Sequence, residues 1–508
     1  MNDNLPTEAE RRRLEAQHNE HENWRLWGPY LAERAWGTVR EDYSAKGTAW
    51  EYFDHDQACS RVYRWNEDGM GGICDDEQRL CLALALWNGK DPILKERAFG
   101  VTGNQGNHGE DVKEHYFYLD ATPSHSYLRY LYKYPQSEYP YRQLVAENQR
   151  RTRHEPSYNL LDTGIFADNC YWDVEMRYAK AAVDEIHLRI SITNRAATPA
   201  TLHVLPTLWF RNTWAWGDKI NAHPRITAEA KSVGCGWSIT AHHPSLGNYW
   251  LYGEQQAELL FTENETNTER LWETTNPAPY VKDAFHRRVI SGDTGAVNPS
   301  QTGTKFAAWN ILTIAAGATA ELRLVLTARH LDRPFGSSDA VFAARESEAE
   351  AYYRSILTHT SAEDYAIARQ ALAGMIWNKQ YYHYDVARWL DGDLIPPPAQ
   401  RNRGRNHLWR HLKAADVVSM PDTWEYPWFA SWDLAYQCSV LALVDVDFAK
   451  NQIDLMLKER YLHPKGQIAA YEWSFEDVNP RYLPRGRSRC FAPNGCSVVR
   501  ETCIFLSA

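Results

Sequence analysis

From Trp24 to about Asp332 the chain is patterned mainly as strand. Ile186-His-Leu-Arg-Ile-Ser-Ile-Thr193 alternates apolar and polar side chains. Strand character returns in Ala200-Thr-Leu-His-Val-Leu205, Lys305-Phe-Ala-Ala-Trp-Asn-Ile-Leu-Thr-Ile314 and Ala320-Glu-Leu-Arg-Leu-Val-Leu-Thr327. Successive strand side chains point to opposite faces, so alternation buries one face of a sheet and wets the other. Turn residues such as Asn194-Arg-Ala-Ala-Thr-Pro199 separate the runs. Many strands without alternating helices predict a large antiparallel β-sandwich.

After Pro334-Phe-Gly-Ser-Ser338 the period changes to that of a helix. Ser338 is placed to cap a helix running to about Leu357, with Ala349, Tyr352, Tyr353 and Ile356 at helical spacing. Ser361, with Asp364 three residues on, opens a second helix. Its stripe of Ala368, Leu372, Met375, Ile376 and Lys379 runs to an end expected near Tyr384. The stretch Ile395-Pro-Pro-Pro-Ala to Arg405 reads as a long loop. Helices are expected again over Trp432–Val444 and, capped by Asp447, over Phe448–Arg460. The predicted fold class is multidomain β plus α. A charged helix covers 1–23, the β-sandwich 24–332, a linker helix 333–360 and a helical domain 361–480. Residues 481–508 break the pattern: five arginines face one acid, Glu501, and Cys490, Cys496 and Cys503 crowd together. A reading-frame shift just after Asn479-Pro480 fits this tail better than ordinary variation.

A net charge of −10 and no basic face argue against binding nucleic acid through its phosphates. The N-terminus has no apolar signal region, and no run of 18 or more apolar residues offers a membrane span. Nine scattered cysteines suggest no disulfide framework, so a reduced, cytoplasmic protein is expected. Asp54, His55, Asp56, Asp75 and Asp76 have oxygen or nitrogen ligands to offer a cation, but no recognisable loop spacing, so no metal is expected. Oligomeric state is not legible.

The richest chemistry lies in Asp422-Thr-Trp-Glu-Tyr-Pro-Trp-Phe-Ala-Ser-Trp-Asp-Leu-Ala-Tyr436. Aromatic faces stack on the apolar faces of sugars, and rings around a carboxyl desolvate it and raise its pKa toward that of a general acid. Asp433 is the candidate proton donor, with Trp424, Glu425, Trp428 and Trp432 around it. A hydrophobic core holding two ion-paired acids explains the same residues. The cluster Glu33, Arg34, Arg40, Glu41 and Asp42 reads as an ion-paired network joining domains, or as a rival site.

Longer stretches carry a family resemblance. They are Leu26-Trp-Gly-Pro-Tyr-Leu-Ala-Glu-Arg-Ala-Trp-Gly-Thr-Val-Arg-Glu-Asp-Tyr43, Gly106-Asn-His-Gly-Glu-Asp-Val-Lys113, Leu205-Pro-Thr-Leu-Trp-Phe-Arg-Asn-Thr-Trp214 and Met375-Ile-Trp-Asn-Lys-Gln-Tyr-Tyr382. Together with the Trp-rich segment they resemble bacterial members of glycoside hydrolase family 63, the processing α-glucosidase and mannosylglycerate hydrolase-like group. The resemblance implies a β-sandwich packed on an (α/α)6 barrel, of which 361–480 would be only the first part. It also implies inverting hydrolysis of α-glycosides, a small carbohydrate substrate and no cofactor. Asp433, following Trp432, takes the place of the family's general acid. Trp377, Lys379, Gln380 and Tyr382 fall where it supplies sugar-binding groups, although Trp377 and Tyr382 also suit inter-helix packing. The family's second carboxylate, which activates water, lies beyond the matching region. Glu472, Glu476 and Asp477 are the substitutes at hand, so this chain is expected to be inactive as it stands. A catalytically dead fragment or a carbohydrate-binding protein is the alternative.

Overall fold

The structure, a computed structural model, describes residues 6–19, 21–33, 55–98, 114–152, 154–217, 223–229, 234–358, 360–392, 404–423 and 428–478. The strand-patterned region forms two antiparallel sheets. The six-stranded sheet runs, edge to edge, through Trp27–Gly28, Met70–Asp75, Leu80–Trp87, Ala200–Phe210, Lys305–Ile314 and Glu258–Thr262. The nine-stranded sheet runs through Thr302–Gly303, Arg225–Ala228, Trp237–His243, Gly247–Gly253, Thr319–Thr327, Glu185–Asn194, Tyr171–Ala182, Tyr127–Pro135 and Tyr116–Ala121.

The alternation seen in the sequence sets which side chains go inward. Ile186, Leu188, Ile190 and Ile192 are all buried, and Ile190 stands opposite Met176 on one side and Leu322 on the other. The two sheets meet face to face. Trp237 and Phe306 lie with ring centroids 5.4 Å apart, Tyr178 Oη donates to the Gly71 carbonyl at 2.8 Å, and Trp27 Nε1 donates to Tyr249 Oη at 3.1 Å. Gly71 has φ +57°, and a Cβ there would sit 2.7 Å from the Tyr130 ring, so this crossing point needs glycine on both counts. Trp27, Trp65, Trp172, Trp389 and Trp409 are among the largest fully buried side chains. Much of the tryptophan content therefore builds the core.

The Pro6–His18 helix packs on the Ser338–Ile356 helix. Its Glu10 is fully buried and accepts from Ser124 N and Oγ, both at 2.8 Å, and from Ser126 Oγ at 2.9 Å. The Ser338–Ile356 helix joins the two halves: Tyr353 Oη donates to the Ala121 carbonyl at 2.5 Å, and Tyr352 Oη to the Val444 carbonyl at 2.6 Å. Ser338 does not cap this helix, because its hydroxyl is bonded to His187 Nδ1 at 2.8 Å; Ser337 occupies the cap position. Ser361 does cap the next helix, Ala362–Trp377, accepting from Asp364 N at 3.1 Å.

That helix stops at Trp377, short of the expected Tyr384. Lys379–Asp385 is instead a strand, paired antiparallel with Lys413–Ser419. A strand sends alternate side chains to opposite surfaces, and here both surfaces are buried. Tyr381 and His383 face the β half, where His383 stacks between Trp65 and Trp216 at 5.6 and 5.2 Å. Lys379, on the same surface of the strand, reaches between His125 of the β half and Asp445 of the helical half. Tyr382 and Tyr384 face the helical half, against Phe429 and Phe475. The short Val386–Asp391 helix follows, and then Ser431–Leu441 and Val446–Met456, which pack on each other. The last is capped by Asp445 and not by Asp447: Asp445 Oδ1 accepts from Phe448 N at 3.1 Å. Among the described residues 361–478 this makes four α-helices and a two-stranded sheet. The tail 481–508 lies outside the described residues.

Candidate functional site

The Ser431–Leu441 helix starts where an extended residue, Ala430, bridges to Tyr471. Ser431 donates twice to the Ala470 carbonyl, from N at 2.8 Å and from Oγ at 2.9 Å, and Glu472 N donates to the Phe429 carbonyl at 3.0 Å. The helix start is thus pinned to the 470–472 segment. Leu434, Ala435, Cys438 and Leu441 turn into the core, while Trp432 and Tyr436 are exposed, four residues apart on one face.

Asp433 sits in the first turn, half-buried. A helix N-terminus favours a carboxylate and lowers its pKa. Here burial dominates and pushes the Asp433 carboxyl above its ordinary value, its own backbone N–H opposing. A carboxyl whose pKa is raised, in the same first turn as an exposed indole and one turn from an exposed phenol, is suited to give a proton to a bound oxygen atom.

The other residues nominated from sequence separate into groups. Trp428 is buried next to Phe429, whose ring stacks on Tyr382 at 5.7 Å. Tyr382 is fully buried; burial first, and then the Glu472 charge, drives its phenol far above its ordinary range. Gln380 is also buried, and among the described residues neither its amide nitrogen nor its amide oxygen has a partner. Buried amides are rarely left so. Lys379, placed with Tyr382 among the expected sugar-binding groups, points the other way. Its ammonium is buried against Asp445 at 2.9 Å and over the Phe448 ring at 4.1 Å. Trp377 stacks on Tyr118 at 5.0 Å and donates to the Asp120 carbonyl at 3.2 Å, which is packing between the halves. Trp424 and Glu425 lie outside the described residues.

Of the three substitute carboxylates, Glu472 is fully buried and Glu476 and Asp477 are exposed, with Asp477 accepting from Tyr471 Oη at 3.0 Å. A base must meet its water. Glu472 has no solvent exposure, and its charge acts on the Tyr382 phenol. Among the residues weighed as cation ligands, Asp56 pairs with Arg270 at 2.6 Å, and Asp75 is buried and accepts from Arg79 N at 2.6 Å and Nε at 3.0 Å.

Of the cluster expected to form an ion-paired network or a rival site, Glu33 alone is described. No cation is paired with it among the described residues; Tyr118 Oη donates to it at 2.8 Å, and Thr423 Oγ1 lies 2.9 Å from Tyr118 Oη and 3.2 Å from Tyr116 Oη. Burial raises its pKa from 4.5 to about 8, with the Tyr118 and Thr423 hydrogen bonds opposing, so it is neutral at pH 7. Arg34, Arg40, Glu41 and Asp42 lie outside the described residues. Thr423 directly precedes Trp424, so this neutral acid anchors the entry to the Trp-rich segment. Nothing local in the sequence links Tyr118 and Thr423 to Glu33.

No family model matches the chain. It is 42% identical over 517 residues to the uncharacterized protein YMR196W of Saccharomyces cerevisiae, a match covering 93% of this chain and 48% of that one. The chain thus spans about half the length of this curated relative. Among solved structures it is similar to a family GH92 α-mannosidase from Bacteroides thetaiotaomicron (TM-score 0.24, 10% identity, 80% of this chain and 54% of that chain). It is also similar to a polysaccharide lyase (TM-score 0.22, 11% identity, 50% and 26%). TM-scores this low carry no argument. No helix among the described residues is long and apolar enough to cross a membrane.

Proposed function

We propose that this chain carries the acid half of a carbohydrate-processing site, with Asp433 as proton donor in α-glycoside hydrolysis. The observation that carries the proposal is Asp433 itself, a half-buried carboxyl raised above its ordinary pKa beside exposed Trp432 and Tyr436. The resemblance to glycoside hydrolase family 63 supports the same assignment. In that reading Trp432 and Tyr436 stack on the sugar, and the unpaired Gln380 amide belongs to the polar lining. An inverting mechanism needs a second carboxyl about 6.5–9.5 Å away to activate water. Of the substitutes weighed from sequence, Glu472 is fully buried and Glu476 and Asp477 are exposed. The second reading is carbohydrate binding without turnover.

Asp433→Asn distinguishes the two. In a hydrolase it abolishes turnover of α-linked disaccharides while leaving sugar binding by calorimetry within about twofold, since the amide keeps the shape but cannot donate the proton. Undiminished turnover in the variant refutes Asp433 as the acid. Binding without turnover in the unmodified chain selects the second reading. Binding in neither refutes the carbohydrate site.

A further inference from the structure

A cavity of about 480 Å³ lies between the short His55–Ser60 helix and the Ala284–Ile290 helix, near the edge strand Glu258–Thr262. Its wall includes Cys59, His286, Pro92, Ile93, Asn267 and Ile290. The charged groups at its margin are engaged with their own partners. Arg270 pairs with Asp56 and Arg287 with Asp293, each at 2.6 Å, and Asp283 accepts from Ser60 and Asn267, both at 2.9 Å.

Cys59 is 5% exposed and is held among cations. Arg97 Nη1 donates to its Sγ at 3.6 Å, and Arg97 is itself fixed by Asp68 through Nε at 2.5 Å and Nη2 at 3.0 Å. Burial pushes the thiol up, but the neighbouring His286 and Arg97 outweigh it, with Glu96 opposing, and bring it below its ordinary value. The His286 ring is the counterpart: burial lowers it, but Cys59 and Glu96 more than compensate, with Lys305 opposing. Glu96 Oε2 lies 3.9 Å from His286 Nδ1, and Lys305 binds the other Glu96 oxygen at 2.8 Å. Thiolates next to histidine and arginine in partly accessible sites are the nucleophilic ones.

We propose that Cys59 is a redox-modifiable nucleophile, with Arg97 donating to its sulfur and His286 on the same cavity wall, and that the cavity admits a small neutral oxidant of the hydroperoxide class to it. The Cys59 sulfur attacks one peroxide oxygen, forming an S–O bond as the O–O bond breaks. Sulfur is oxidised by two electrons to sulfenic acid, and the peroxide is reduced to hydroxide, which takes the His286 proton and leaves as water. The other cysteine groupings fit this chemistry less well. Cys74 and Cys81 stand opposite each other in adjacent strands, but both are fully buried.

The test treats the intact chain with hydrogen peroxide, traps sulfenic acid with dimedone and quantifies each cysteine peptide by mass spectrometry. At pH 6 Cys59 is expected to be trapped at least about ten times faster than the more exposed Cys170, with a rate that levels off at a lower pH than that of Cys170. Trapping no faster than at Cys170, or a rate rising tenfold per pH unit up to pH 9, overturns the proposal. His286→Gln should cut the pH 6 rate about tenfold; an unchanged rate in the folded variant overturns the part given to His286. If that variant does not fold, the pH profile of the unmodified chain decides.

Discussion

Replacing Glu33 by Gln should change how stability depends on pH. Folded Glu33 holds its proton up to about pH 8, whereas the unfolded side chain releases it near 4.5. A folded-state pKa raised above the unfolded value contributes stability that is complete below the unfolded value. That contribution is lost as pH rises through the folded one, and the window here is pH 4.5 to 8. At about 1.4 kcal/mol per unit, the whole shift is worth about 5 kcal/mol. From pH 5 to pH 7 the unfolded glutamate goes from mostly to fully ionised while the folded one stays neutral, so the native chain loses about 2.5 kcal/mol from this group alone. Glutamine removes the titration and retains an amide oxygen for the Tyr118 hydroxyl. The variant should therefore gain about 2.5 kcal/mol on the native chain between pH 5 and pH 7. Urea unfolding followed by tryptophan fluorescence at pH 5, 6 and 7, compared within the same transition, reads this difference. A gap between the two proteins that is constant across the three pH values refutes the neutral, buried Glu33.

Asp445→Asn keeps a helix cap but strips the charge from under Lys379 and Arg25, whose distances to it are 2.9 and 2.5 Å. Leaving Lys379 buried without its counter-ion should cost about 3–5 kcal/mol in urea unfolding, and Lys379→Met in the same chain should recover most of it; no recovery would contradict the pairing. Gly253→Ala would set a Cβ 2.1 Å from the Trp237 ring, so it should lower the thermal midpoint through about 1–3 kcal/mol of overpacking, with Trp237→Leu in the same chain relieving it. An unchanged midpoint for Gly253→Ala would mean that the Trp237 ring moves aside freely.

Much of the fold could be read from local pattern. Glu185–Asn194 and Thr319–Thr327 follow the alternation of their own side chains, and Ser361 marks its helix by a hydrogen bond made three residues away. The first-turn place of Asp433 was legible for the same reason, since a Trp-Asp pair opening an apolar helical stripe is a local signal. Lys379–Asp385 was not. Its stripe continues that of the preceding helix, but its tyrosines suit a strand as well, and two different surfaces claim alternate side chains. Those surfaces are Trp65, Trp216 and Asp445 on one side and Phe429 and Phe475 on the other.

The residue types and their spacing thus determined the sheets, the main helices and the position of a single candidate acid. Only the tertiary structure decided the charge states and the company of the acids. The Glu33 carboxyl is raised because the fold buries it, against the opposing hydrogen bonds from Tyr118 and Thr423, which are remote in sequence. Glu472 is withdrawn from water because the 470–472 segment is stitched to Phe429 and Ser431. Desolvation depends on what surrounds a group in space, and sequence neighbours do not report it.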